Sequence, residues 1–258
     1  MSTTIKILVC ILAGLGAGLG TGFAGMSAAA VISPMLTTIL GMDPYLAVGV
    51  ALASDVLASA ASAVMYARKK NIDIRNGIAM MISVLIYTFI GSFAASYLPS
   101  KAMGGFSMIM TFFLGLRFII KPATKPKARL ENATKKQKII RSIVCGGVVG
   151  FICGFVGAGG GLMMLLVLTS VLGYELKTAV GTSVFIMSAT ALTGAVSHFA
   201  IGGAPDILSL IVCVLSTLVF AMLAAHIANK VSSKTANRAT GIVLVILGIS
   251  LVIIKYCL

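Results

Sequence analysis

Two glycine turns are the positions best suited to chemistry in this sequence. They are Gly22-Phe23-Ala24-Gly25-Met26-Ser27 and Gly157-Ala158-Gly159-Gly160-Gly161. Each joins one apolar run to a second, shorter one, so each would open a helix inside apolar surroundings. The first turn of a helix has N–H groups without backbone partners. Glycine lets the chain bend sharply and lets another group approach the backbone. Free N–H groups at the positive end of a helix dipole hold an anion without any Lys or Arg. Gly25, Ser27, Gly157, Gly159, Gly160 and Gly161 are therefore candidate substrate contacts. Thr182 and Ser183 add two neighbouring hydroxyls after Gly181. Hydroxyls in a membrane helix commonly bond back to their own backbone, so their role depends on which way they turn.

Asp55 stands in the middle of an apolar stretch, with Ser54 beside it. A carboxylate at the centre of a bilayer costs about 2.5–3.5 kcal/mol on insertion scales. Such a residue is expected to face a cavity or a partner, and Asp55 with Ser54 is the candidate for ion or proton coupling. The rest of the sequence argues against an enzyme. It has no nucleophile–base pair, no paired catalytic carboxylates and no His/Cys/Asp/Glu cluster with metal-ligand spacing. No cofactor or metal is expected. Cys10, Cys145, Cys153, Cys213 and Cys257 are scattered through apolar runs and read as small packing residues. His198 and His226 read as interfacial, close to helix ends.

The elements that position these residues follow from composition. Of 258 residues, 59% are hydrophobic and 10% are charged. A soluble domain carries about 25% charged residues. The excess apolar content leaves an all-α, polytopic helical membrane protein as the fold class. At about 20 residues per span, the chain accommodates roughly eight to ten membrane segments. The net charge of +14 fits basic loops on the cytoplasmic face. Nucleic acid is not the expected partner, because no basic stripe interleaves with aromatics. Lys6 ahead of an apolar run superficially fits a cleavable signal. However, no small-x-small site follows it with a polar start, and the segment recurs later in the chain.

That recurrence is a duplication. A shift of 132 positions places Gly14, Gly18, Gly22, Phe23 and Gly25 on Gly146, Gly150, Gly154, Phe155 and Gly157. It also places Leu36, Thr37, Leu40 and Gly41 on Leu168, Thr169, Leu172 and Gly173, and Ala47-Val48-Gly49 on Ala179-Val180-Gly181. With one residue inserted, Ser100-Lys101 meets Ser233-Lys234. The expected organisation is a first transmembrane repeat over 1–120, a basic cytoplasmic linker over 121–138, and a second transmembrane repeat over 139–258. Apolar segments fall at 5–22, 26–40, 45–65, 74–98 and 102–120, then 139–154, 160–172, 176–200, 205–228 and 234–258. The second segment of each half is too short to cross a hydrocarbon core of about 30 Å. It is expected to be a broken or re-entrant helix. Gly14-Gly18-Gly22 and Gly146-Gly150-Gly154 read as close-packing faces. Asp43-Pro44 signals a helix start, and Ser100 and Ser233 are expected N-caps. If each half reverses the side of the chain an odd number of times, 17 of the 20 Lys and Arg lie with the linker. The halves are then inverted repeats with both termini outside.

The run Phe155-Val156-Gly157-Ala158-Gly159-Gly160-Gly161, followed by Ala179-Val180-Gly181-Thr182-Ser183, resembles the TauE/SafE family of membrane permeases, the sulfite exporter family. The likeness covers essentially the whole chain. It implies transport of small sulfur-containing anions or organic acids, such as sulfite, sulfonates or sulfoacetate, across a cytoplasmic membrane. The family often has a proline in the short helix after the glycine turn. Here the first half has Ser33-Pro34, while the aligned second half has Leu165-Leu166. The expected protein is a multi-pass secondary transporter of the cell membrane, with a small anionic substrate, the bilayer around it and a homodimer as a possible assembly. An uncoupled anion channel and a non-transporting membrane subunit are the alternatives.

Overall fold

The computed structural model describes residues 2–95, 112–113, 116, 119–120, 134–156, 160–202 and 204–257. The described residues form helices and the turns between them. In chain order these are α1 (Thr3–Ala24), α2 (Ala29–Leu40), α3 (Pro44–Arg68), α4 (Ile74–Ala95) and α5 (Lys135–Val156). They continue with α6 (Gly160–Leu166) and a π-helical turn (Val167–Val171), then α7 (Leu176–Gly202), α8 (Ile207–Lys230) and α9 (Ser233–Cys257). Among the described residues, four helices are long and apolar enough to cross a membrane: α1, α3, α7 and α8.

The helices are inside out compared with those of a soluble protein. On α8 the buried positions are small or polar: Ser209, Cys213, Thr217, Ala221, Ala224, Ala225 and Ala228. Its large side chains point outward, with Ile207, Ile211, Leu215, Val219, Leu223 and Ile227 exposed at helical spacing. Water would penalise that surface heavily, at roughly 25 cal/mol per Å². Hydrocarbon does not, so small residues are free to face the protein, where they let helices approach closely.

Glycine sets the closest of these approaches. A methyl group on Gly14 would meet the Ser216 side chain, one on Gly18 would lie 2.7 Å from Thr217 O, and one on Gly22 2.5 Å from Ala221 O. The contacts advance in step along α1 and α8, so the two helices run parallel. The expected packing role of these glycines holds. The aligned glycines of the second half do the same against α4: Gly146 abuts Met80 O and Gly150 abuts Val84 O, again in parallel. α3 and α7 run the other way. Gly49 packs on Phe199, Gly194 on Leu52, and Gly181 on Tyr66 and Asn71.

The two short helices depart from regular α-helical hydrogen bonding at the same aligned position. Pro34 lies inside α2, where it removes one N–H donor. Its counterpart is Leu166, the last residue of α6, after which the chain widens into the π-helical turn. Both short helices end on a left-handed glycine, Gly41 at φ 64° and Gly173 at φ 78°. There a side chain would be strained.

Several helix starts differ from expectation, and α2 begins at Ala29, three residues after the expected 26, because Gly25 to Ser27 form the turn. α5 begins at Lys135, four residues before the expected 139. A reciprocal cap explains this: Thr134 N donates to Gln137 Oε1 at 3.1 Å, and Gln137 N to Thr134 Oγ1 at 3.3 Å. α9 is capped by Ser232 rather than Ser233, because Ser232 Oγ accepts from Thr235 N at 3.2 Å. Asp43 caps α3 as expected, accepting from Leu46 N at 3.1 Å with Pro44 in the first turn. Ser100 lies outside the described residues.

Candidate functional site

α1 ends inside the molecule at Gly25, which has φ 60° and donates its N–H to Thr21 O at 2.9 Å. The chain reverses through Met26 and Ser27, both buried, and starts α2. The end of α1 therefore presents carbonyls, and the start of α2 presents N–H groups, at one buried point. Carbonyl oxygens at a helix end need donors, and here hydroxyls from four helices supply them. Tyr66 Oη of α3 donates to Gly22 O at 2.8 Å, and Thr240 Oγ1 of α9 to Phe23 O at 3.0 Å. Ser183 Oγ of α7 donates to Gly25 O at 2.9 Å, and Thr21 Oγ1 of α1 to Met26 O at 2.9 Å.

The N–H side is less filled. Ala29 N donates to Ser27 Oγ at 3.3 Å and Ala30 N to Ser27 O at 3.2 Å. The N–H groups of Ser27 and Ala28 are not used by another backbone carbonyl among the described residues. Two features converge on them. Gly161, at the start of α6, packs directly on this turn: a methyl group there would lie 2.5 Å from Ser27 N, 2.7 Å from Gly25 O and 2.9 Å from the Met26 carbonyl carbon. The second feature is Asp55, which is fully buried. Its Oδ1 accepts from Ser59 Oγ at 2.7 Å, and its Oδ2 has no hydrogen-bond partner. The carboxyl lies beside the Ser27 side chain and the Ala28 N–H.

Of the expected site residues, Gly25, Ser27, Asp55, Gly161 and Ser183 come together at this point, and Gly160 is buried at the start of α6. Gly157 and Gly159 lie outside the described residues. Ser54, although buried, donates to its own helix at Val50 O, 2.8 Å away. Thr182 is turned elsewhere, and its Oγ1 accepts from Asp73 N at 3.1 Å. Neither Thr182 nor Ser183 bonds to its own helix. Each reaches the other half of the chain, where the nearer unpaired backbone groups are.

Thr182 belongs to a second polar cluster at the end of the bundle where α3 ends and α7 begins. Asp73 caps α4 through Asn76 N at 3.1 Å and accepts from Tyr174 Oη at 2.7 Å. Asn71 Nδ2 donates to Asn229 Oδ1 at 2.8 Å, and Lys177 Nζ to Val231 O at 2.6 Å. Burial and the adjacent Asp73 carboxylate push the Tyr174 phenol well above its ordinary range, so it stays a donor. At the opposite end the residue aligned with Asp73 is Asp206, which pairs with Lys6 at 3.1 Å. Sequence reasoning missed the Asp73–Tyr174 link. Its only signal was the Asp-x-x-Asn capping pattern, which says nothing about a tyrosine from the other half.

A family model described as the sulfite exporter TauE/SafE matches residues 10–251. The chain belongs to the TauE/SafE family. It is 26% identical to the probable membrane transporter protein YunE of Bacillus subtilis (strain 168), over 98% of each chain. It is 23% identical to the probable membrane transporter protein YdhB of the same organism, over 85% of this chain and 90% of that one. A third relative is the probable membrane transporter protein MJ0441 of Methanocaldococcus jannaschii, 26% identical over 70% of this chain and 65% of that one. The chain is thus a membrane transporter of the TauE/SafE family, as its glycine turns and Ala-Val-Gly-Thr-Ser run suggested.

Proposed function

We propose that this TauE/SafE transporter carries a small anion across the cytoplasmic membrane. Sulfite, an organosulfonate such as sulfoacetate, or a related organic acid is the class of substrate. The anion is held at the N-terminus of α2, with Gly161 of the opposing turn against it, and its movement is coupled to an ion through Asp55. The observation that carries this reading is the buried meeting of Gly25, Ser27, Gly161, Ser183 and Asp55 at one helix start. It offers N–H donors and a hydroxyl without a fixed positive charge, which suits an anion that must leave again.

The two halves act as inverted repeats around this point. In support, α1 packs parallel to α8 as α5 packs parallel to α4, while the equivalent helices α3 and α7 are antiparallel. Inverted repeats with broken helices at the midplane suit alternating access. The excess of Lys and Arg supports a cytoplasmic position for the basic segment 121–138, whose last residues open α5.

The test is flux in proteoliposomes of purified protein, using sulfite, sulfate, sulfoacetate and simple carboxylates, with and without a pH gradient. Saturable uptake of one of them is expected. Conductive flux without saturation would make the protein a channel. No flux of any anion in the panel would overturn the anion reading and leave only membership of the family.

A further inference from the structure

Asp55 presents a difficulty for an anion site. A carboxyl already lies beside the N–H and hydroxyl donors that an anion would use, and its Oδ2 has no hydrogen-bond partner. In a site closed to water, two negative charges a few ångströms apart repel strongly. The carboxylate and a bound anion therefore exclude each other.

The surroundings also identify what relieves the conflict. A sodium ion would need several free carbonyl oxygens, the kind of ligand that unwound transporter helices supply. Here the carbonyls of Gly22, Phe23, Gly25 and Met26 each accept a hydroxyl proton already. Among the described residues, no fixed cation faces the carboxyl either. Of the elements packed on α3, α2 carries no ionisable group. α1 carries Lys6, paired with Asp206, and Cys10, which meets Cys213 of α8. α7 carries Lys177, bonded to Val231 O, and His198, whose Cβ lies at Gly49. α8 adds His226 and Lys230 near its end. On α3 itself, Tyr66 is bonded to Gly22 O and Arg68 is in the last turn. The groups that act on the carboxyl are Ser59, Ser27 and the Ala28 N–H.

We propose that Asp55 is a built-in competitor for the substrate: its carboxylate occupies the α2 N-terminus until it takes a proton from the aqueous phase, and only then does the anion bind. Proton and anion are therefore carried together, one for one, and released together on the other side, where the carboxylate reclaims the helix start. This rests on the site reading above and adds to it the identity of the coupling ion and the order of events. In the neutral form Asp55 also becomes a donor, so the same side chain changes from rival to ligand.

Sulfoacetate and sulfate keep their charge between about pH 5.5 and 8, so any pH dependence in that window belongs to the protein. Purified protein in weakly buffered detergent solution is mixed with each, and proton uptake and binding are read together. At a pH above the Asp55 titration, wild-type protein should take up one proton per anion bound. Its affinity should fall about tenfold per pH unit once the pH exceeds the Asp55 titration, with or without sodium. Asp55→Asn, neutral and of the same shape, should bind with an affinity that does not change with pH and with no proton uptake. Wild-type binding without proton uptake, or binding that requires sodium, would overturn the proposal while leaving the site reading standing. Proton uptake that survives in Asp55→Asn would do the same. If neither these anions nor any other in the flux panel binds or crosses, both readings fall. The wild-type proton count decides the matter even if Asp55→Asn does not fold.

Discussion

Replacing Gly161 by alanine tests the meeting of the two turns directly. The added methyl group would sit 2.5 Å from Ser27 N, 2.7 Å from Gly25 O and 2.9 Å from the Met26 carbonyl carbon. Carbon contacts are comfortable at about 3.5–4.0 Å, so the turns must separate by about 1 Å. All three obstructing atoms are backbone, and the hydroxyls of Ser183 and Thr21 hold their carbonyls in place. No side chain can simply swing aside. Overpacking of this kind costs typically 1–3 kcal/mol, and a displacement of about 1 Å at a working site costs up to about 100-fold in rate. The variant should therefore fold with reduced thermal stability and lose at least about tenfold in proteoliposome flux. Gly147→Ala is the matched control. Its methyl group would meet side-chain atoms alone, the Tyr87 ring at 3.3 Å and Ser83 Oγ at 3.5 Å, and flux should stay within about twofold of wild type. Gly161→Ala with wild-type flux and wild-type melting temperature would refute the reasoning, because the turns would then not be in contact.

Two further outcomes follow from the bundle ends. Tyr174→Phe removes the hydroxyl bonded to Asp73 at 2.7 Å. A hydrogen bond to a charged group contributes about 1.5–3 kcal/mol, and this partly buried one belongs at the lower end. Thermal unfolding in detergent should show the loss, and labelling of a cysteine placed at Asn76 should speed up as the end opens; unchanged labelling would show that the link closes nothing. At the other end, Ser209, whose N–H donates to Asp206 Oδ2 at 2.9 Å, and Lys6 hold Asp206 below the usual carboxylate range despite some desolvation. Its stabilisation is then present above the ordinary Asp range and is lost as pH falls through the depressed value. The pair is well exposed, at 30% and 36%, so Asp206→Asn should cost less than about 1 kcal/mol. It should flatten any acid-side decline in melting temperature, and a large loss at neutral pH would show a role beyond capping and pairing.

How much of this was legible in the sequence depended on whether the cause was local. Pro44, the glycine after each short helix and the length of the apolar runs marked helix ends well, because capping and burial act over a few residues. The start of α5 was placed late because Thr134 and Gln137 lie in a charged stretch that looked like linker. The cap of α9 falls on Ser232, one residue before the expected Ser233, because neighbouring serines both offer a hydroxyl and only backbone geometry selects one. The candidate site was half legible. Gly25, Ser27 and Gly161 were identified because glycine at a helix start has few other uses. Thr182 and Ser183 looked alike as neighbouring hydroxyls, yet one turns to Asp73 and the other to Gly25. Adjacent residues on a helix point about 100° apart, and only the neighbouring helices determine what each one meets.

The sequence by itself determined the helical membrane class, most of the helix ends and the family. These follow from composition, spacing and the conformational freedom of glycine, all of which are written along the chain. Only the tertiary structure decided that Asp55 lies at the start of α2, that Gly161 closes on Ser27 across more than 130 positions, and that hydroxyls from four helices bond the carbonyls around that turn. Those are meetings between distant segments. They depend on how glycine-lined helices pack side by side and on which unpaired backbone groups lie nearest once they have.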